Sequence, residues 1–124
     1  MKILLVDDQV VMRTLFRRIV GAANYDFLEA ANGLDALRQL DENADVGVVI
    51  LDQYMPLMTG MEFLVQKNCR KDLQKIPVVL MSANQTRELV QQGIGLGVQL
   101  WIEKPFKRQN IERVIATAIG GFST

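Results

Sequence analysis

The chain has 124 residues, 49% apolar and 23% charged, with 14 Lys and Arg matched by 14 Asp and Glu. That length supports one hydrophobic core, and the balanced charge argues against direct nucleic-acid binding, which calls for a basic excess. Histidine is absent and Cys69 is the only cysteine, so Ser-His-Asp and Cys-His catalysis, histidine metal sites and an internal disulfide are all excluded.

No apolar run approaches the ~18 residues that span a bilayer. The opening run through Val6 is too short for a signal peptide, and Asp7-Asp8 follows it directly. The expected location is the cytoplasm, without membrane insertion, and Cys69 is expected to be a partly buried, inert thiol.

Residues 3–6 form a continuous apolar run, the pattern of a strand buried on both faces. Residues 11–23 then place Met12, Leu15, Phe16, Ile19 and Val20 on one helical face. Arg13, Arg17 and Arg18 lie off that face and read as solvated, with a stop at Gly21 and Asn24. Residues 27–31 read as a second strand, and Asn32-Gly33 opens a helix with Leu34, Leu37 and Leu40 as its stripe. Residues 46–51 are the clearest central strand, ending at Asp52.

Met55-Pro56 breaks the chain before a third helix carrying Met61, Leu64 and Val65. Pro77 leads into a strand at 78–81 that ends at Ser82. Leu89 and Val90 belong to a fourth helix, which Gly93, Gly95 and Gly97 should shorten or loosen, at about 1 kcal/mol per glycine relative to alanine. Residues 100–102 form a fifth strand before Lys104-Pro105. Ile111, Val114, Ile115, Ala118 and Ile119 mark a final helix that stops at Gly120-Gly121. Strands alternating with helices predict an α/β fold of one domain over residues 1–124: a doubly wound, five-stranded parallel sheet with helices on both faces.

Ligands bind such sheets beyond the carboxyl ends of the strands. Those ends carry Asp7-Asp8, Asp52, Ser82 and Lys104. Singly, these read as a polar loop, a solvated or capping carboxylate, a turn serine and a surface lysine. Together they point to one small site. Crowded carboxylates raise a pKa or admit a cation. Hard oxygen ligands with an open side suit Mg²⁺. A carboxylate can also accept a phosphoryl group, a transfer that needs mainly positioning and charge neutralisation.

The segments Ile3-Leu4-Leu5-Val6-Asp7-Asp8, Val48-Val49-Ile50-Leu51-Asp52 with Met55-Pro56 and Gly60, Val79-Leu80-Met81-Ser82-Ala83, and Lys104-Pro105-Phe106 follow in order. Together they resemble the CheY-like receiver family of two-component response regulators over essentially the whole chain. The resemblance implies that Asp52 is the phosphoacceptor and that Asp7, Asp8, Asp52 and the backbone carbonyl of Gln53 hold Mg²⁺. It implies that Ser82 and Lys104 contact the phosphoryl group, and that the Lys104-Pro105 bond is cis. Tyr54 and Asn84 occupy modulating positions, and Ser82 and Trp101 those of the switch.

Trp101 stands where the family commonly has Tyr or Phe, so a strained or forbidden inward state is expected. Tyr54 is expected to shield the acyl phosphate from water. The implied partners are a sensor histidine kinase or phosphotransfer protein, and a downstream protein at the surface of the fourth helix, fifth strand and fifth helix. With no output domain after residue 119, output is expected through binding or onward phosphotransfer. An excised receiver and a passive phosphate sink stand as alternatives.

Two other classes share parts of the pattern. Aspartate-nucleophile phosphatases of the haloacid-dehalogenase type need a second aspartate two residues on, where this chain has Tyr54. A flavodoxin needs a hydroxyl-rich phosphate loop where this chain has Asp7-Asp8-Gln9. The chain is therefore expected to be a signalling domain rather than an enzyme.

Overall fold

Short apolar runs become the strands, and the stretches between them wind into helices. The computed structural model describes residues 2–21 and 25–120. In chain order the elements are β1 (Lys2–Val6), α1 (Val10–Val20), β2 (Asp26–Ala30), α2 (Gly33–Glu42), β3 (Val46–Asp52), α3 (Gly60–Asn68), β4 (Val78–Ser82), α4 (Arg87–Gly95), β5 (Leu100–Glu103) and α5 (Arg108–Ile119). All strand pairings are parallel, in the order β2-β1-β3-β4-β5. The expected doubly wound sheet is the observed one.

Alternation along the strands divides the core in two. Leu4, Val6, Val49, Leu51, Val78 and Leu80 face α2, α3 and α4. Ile3, Leu5, Val48, Ile50, Val79 and Met81 face α1 and α5, meeting Phe16, Ile111 and Ile115. Each such side chain stabilises the fold by roughly 1.5–3 kcal/mol when fully buried.

The helix stripes depart from expectation in three places. In α1, Leu15 is exposed while Arg13 is half-buried. In α2, Gly33 lies so close to the Met58 side chain that a Cβ would come within 2.6 Å of its sulfur. In the same helix Leu34 is exposed, and Ala36 and Leu40 are buried. In α3 the buried stripe is Gly60, Phe63, Leu64 and Lys67, with Met61 beside it, so Val65 faces solvent.

Helix α3 starts on a capping box: Thr59 Oγ1 accepts from Glu62 N at 3.2 Å, and Glu62 Oε1 accepts from Thr59 N at 2.9 Å. Helix α4 runs through Gly93 to Gly95, as long as α3 at 9 residues, and the chain leaves it through Gly97 at φ 91°. The stops expected at Asn24 and Gly121, with Ala23 and the Ile119 side chain, lie outside the described residues.

Candidate functional site

Strand order reverses at β1 and β3, which places a crevice at their carboxyl ends. Register pairs Val6 with Leu51, so Asp7 and Asp52, each one residue further, emerge side by side. Carboxylate oxygens of Asp7, Asp8 and Asp52 lie within 4.8 Å of one another. Asp7 and Asp52 are 2% and 5% exposed, whereas Asp8 faces solvent. Lys104 crosses from the end of β5, its Nζ 3.1 Å from Asp52 Oδ1 and 3.7 Å from Asp7 Oδ2. Its backbone N–H donates to the Ser82 carbonyl at 2.9 Å, and the Lys104-Pro105 peptide bond is cis.

Burial pushes the Asp7 carboxyl above its ordinary range, and the Asp52 and Asp8 charges add to that rise. The Gln9 N–H, donating to Asp7 Oδ1 at 2.9 Å, and Lys104 oppose it. Asp52 is raised for the same first reason, and Lys104 and the Tyr54 backbone N–H hold it down in part. Asp7 Oδ2 is buried and accepts no hydrogen bond among the described residues. Three hard oxygen donors, one without a hydrogen-bond partner, with an open side at Asp8, fit a hard divalent cation.

Gln53 joins the acceptor strand to α3. Its carbonyl oxygen accepts from the Gly60 N–H at 2.9 Å, and its side-chain Oε1 accepts from Met61 N at 2.9 Å. Both bonds tie the start of α3 to the acceptor strand, and the carbonyl oxygen keeps a second lone pair. Gly60 is part of the same joint, since a Cβ there would sit 2.9 Å from the Asp52 carbonyl oxygen.

The Ser82 hydroxyl is fully buried and turned to the backbone of Asn84, donating to its carbonyl and accepting from its N–H, both at 3.1 Å. The structure therefore brings Ser82 to the edge of the site, with its hydroxyl held away in a local turn. Asn84 and Tyr54 are exposed.

Trp101 packs against α4. Its indole is partly buried in the notch that Gly93 leaves open on α4: a Cβ on Gly93 would fall 2.4 Å from Cη2. Met61 Cε would lie 3.3 Å from the same Cβ, and the ring packs against the core shared by α3 and α4. Cys69 is exposed at the end of α3, not partly buried. Arg13, read as solvated, instead donates to the Asp7 carbonyl and to Glu29. Its spacing off the apolar stripe gave no sign of that. Gly93 did carry a signal, as a glycine inside a helix.

The model for the response regulator receiver domain matches residues 3–116. The chain belongs to the receiver family of response regulators. This receiver is 31% identical over 121 residues to the chemotaxis protein CheY1 of Helicobacter pylori, covering 97% of this chain and 98% of that protein. It is 30% identical to the two-component response regulator ORR3 of rice, covering 90% of this chain and 86% of that one. Among solved structures, the chemotaxis protein CheY4 of Vibrio cholerae superposes with a TM-score of 0.88 at 27% identity, covering 94% of this chain and 97% of that one. The chain is thus a signalling domain of the two-component kind. Among the described residues no helix is long and apolar enough to cross a membrane.

Proposed function

We propose that residues 1–124 act as one receiver domain in a phosphorelay, in which Asp52 takes a phosphoryl group from a partner's phosphohistidine. The observation that carries this is the buried Asp52 carboxylate, bonded to Lys104 and flanked by two further carboxylates. An Asp52 oxygen attacks phosphorus, the new P–O bond forms as the P–N bond breaks, and the electron pair stays on the leaving imidazole nitrogen. Asp7, Asp8, Asp52 and the backbone carbonyl of Gln53 would hold Mg²⁺. When bound, Mg²⁺ supplies positive charge to the phosphoryl oxygens.

Lys104 offers the second neutralising charge from its position 3.1 Å from Asp52. Ser82 gives up its Asn84 contacts to donate to a phosphoryl oxygen, which moves the start of the loop into α4. That shift, felt at Trp101 of β5 where it packs on α4, alters a surface of α4, β5 and α5 for a downstream protein. Tyr54 shades the acyl phosphate, and its truncation shortens the phosphate's lifetime. The reaction is one transfer onto the protein's own side chain followed by slow loss, not turnover of a free substrate. The setting is the cytoplasm, with neither nucleic acid nor membrane as a direct partner.

Incubation with Mg²⁺ and a small acyl phosphate tests this by intact mass. The wild type should gain one phosphoryl group, with no gain after chelation or in Asp52→Asn. Equal labelling of Asp52→Asn would refute the assignment.

A further inference from the structure

Three carboxylates within 4.8 Å repel one another, so something must hold their backbone in place. Asp52 ends a central strand and is fixed by its ladder. Asp7 and Asp8 lie beyond the end of β1, in a loop. The Asp7 N–H still reaches across to the Ala30 carbonyl of β2 at 3.0 Å. Past that point the sheet offers nothing.

The peptide plane joining Asp7 to Asp8 is held by Arg13. Its Nη1 donates to the Asp7 carbonyl oxygen, and its Nε donates to Glu29 Oε1 at 2.7 Å. Arg17 takes the other Glu29 oxygen at 2.6 Å and lies 5.6 Å from the centre of the Phe27 ring. The Arg13 side chain is 13% exposed, so this guanidinium is no solvated surface charge. Its planar fork meets two acceptors at once, one on β2 and one in the acidic loop. Glu29 stays ionised in this setting: its hydrogen bond from Arg13 holds its carboxyl below the ordinary range.

We infer that Arg13, anchored by Glu29, is a positioning residue for divalent-cation binding, fixing the peptide plane from which Asp7 and Asp8 project. The inference rests on the reading that these carboxylates hold Mg²⁺. Asp8 depends on this most. Its carboxylate is exposed, so its direction comes from its backbone.

The sign of one substitution separates positioning from simple electrostatics. A positive charge near the site repels Mg²⁺, so removing Arg13 for its charge alone would tighten binding. Losing the clamp would weaken it. Calorimetric titration with Mg²⁺ should show Arg13→Gln and Glu29→Gln each binding roughly tenfold more weakly than wild type. Arg13→Lys, which keeps the charge but cannot span both acceptors, should stay as weak. Arg17→Gln, which leaves the Asp7–Asp8 peptide untouched, should change affinity by less than about twofold.

Urea unfolding without Mg²⁺ confirms which variants fold, and the charge-conserving Arg13→Lys decides the matter if Arg13→Gln does not fold. Unchanged or tighter binding in the folded variants overturns the inference, as does rescue by Arg13→Lys. A wild type that takes up no Mg²⁺ overturns the cation reading and this inference with it. Wild-type binding with unaltered variants overturns only the role of Arg13.

Discussion

At the carboxyl ends of β1 and β3, two buried carboxylates share the ammonium of Lys104. Near the start of β4, Lys67 is 2% exposed, and its ammonium meets the Gln74 carbonyl at 3.3 Å, with no carboxylate partner among the described residues. Both regions bury charge, but only the first gathers opposite charges into one volume. A buried cation beside acids relieves repulsion, whereas a buried cation beside one carbonyl mainly bears a desolvation cost. The difference teaches that a buried lysine has no fixed sign of contribution; its neighbours set it.

The same substitution at each end should therefore act in opposite directions. Lys104→Met leaves buried carboxylates without their cation and should destabilise the cation-free protein by about 3 kcal/mol at neutral pH. Lys67→Met removes a desolvated charge and should stabilise it by roughly 2 kcal/mol. Urea denaturation of both variants reads the two signs. Equal signs would break the comparison.

The Lys67 end also has a pH signature. Burial lowers the Lys67 ammonium from 10.5 to about 8. Between those values the unfolded chain binds the proton and the folded one does not, so stability should rise with pH across that window. Below pH 8 the cost is fully present, and above 10.5 it is gone. The Lys67→Met variant should lack this rise, so the difference between variant and wild type should narrow from pH 8 to 10.5. A constant gap would show that Lys67 is not desolvated.

At the acidic end, Asp7→Asn keeps the Lys104–Asp52 pair and removes one repelling charge. Without divalent cation it should gain roughly 1–2 kcal/mol at neutral pH. Because the Asp7 carboxyl is raised above 3.8, the wild-type penalty sets in as pH climbs through the raised value, and the gain should vanish below pH 3.8. With saturating Mg²⁺ the ordering should reverse, since only the wild type keeps a full set of ligands.

The smallest expected effect lies between the two ends, at Gly93. Alanine there should gain about 1 kcal/mol of helix propensity but displace the indole. The net change in stability should be within about 1 kcal/mol. The fluorescence of Trp101, the sole tryptophan, should shift to the red as the ring meets water. An unshifted spectrum would mean that α4 yields instead.

The strands and the site at their ends were legible because both depend on local runs. Buried parallel strands read as unbroken apolar stretches, and Asp7, Asp52, Ser82 and Lys104 each sit where such a stretch stops. What was not legible depends on contacts distant in sequence. Leu15, Leu34 and Val65 fit helical stripes yet face solvent, because neighbouring elements set the rotation of their helices. Arg13 looks like a solvated charge until β2 brings Glu29 to it. Gln53 gives no sign of its joint with Gly60 and Met61 until the start of α3 folds onto it. Trp101 gives no sign of its contact with Gly93 until α4 packs beside β5.

The location of the acyl phosphate tests the central claim most directly. After labelling with a small acyl phosphate and Mg²⁺, borohydride reduction converts an aspartyl phosphate into homoserine, which peptide mass spectrometry can place. Homoserine at residue 52 alone, and none after chelation, is the expected result. Homoserine at Asp7 or Asp8, or an unmodified residue 52 in fully labelled protein, would contradict it.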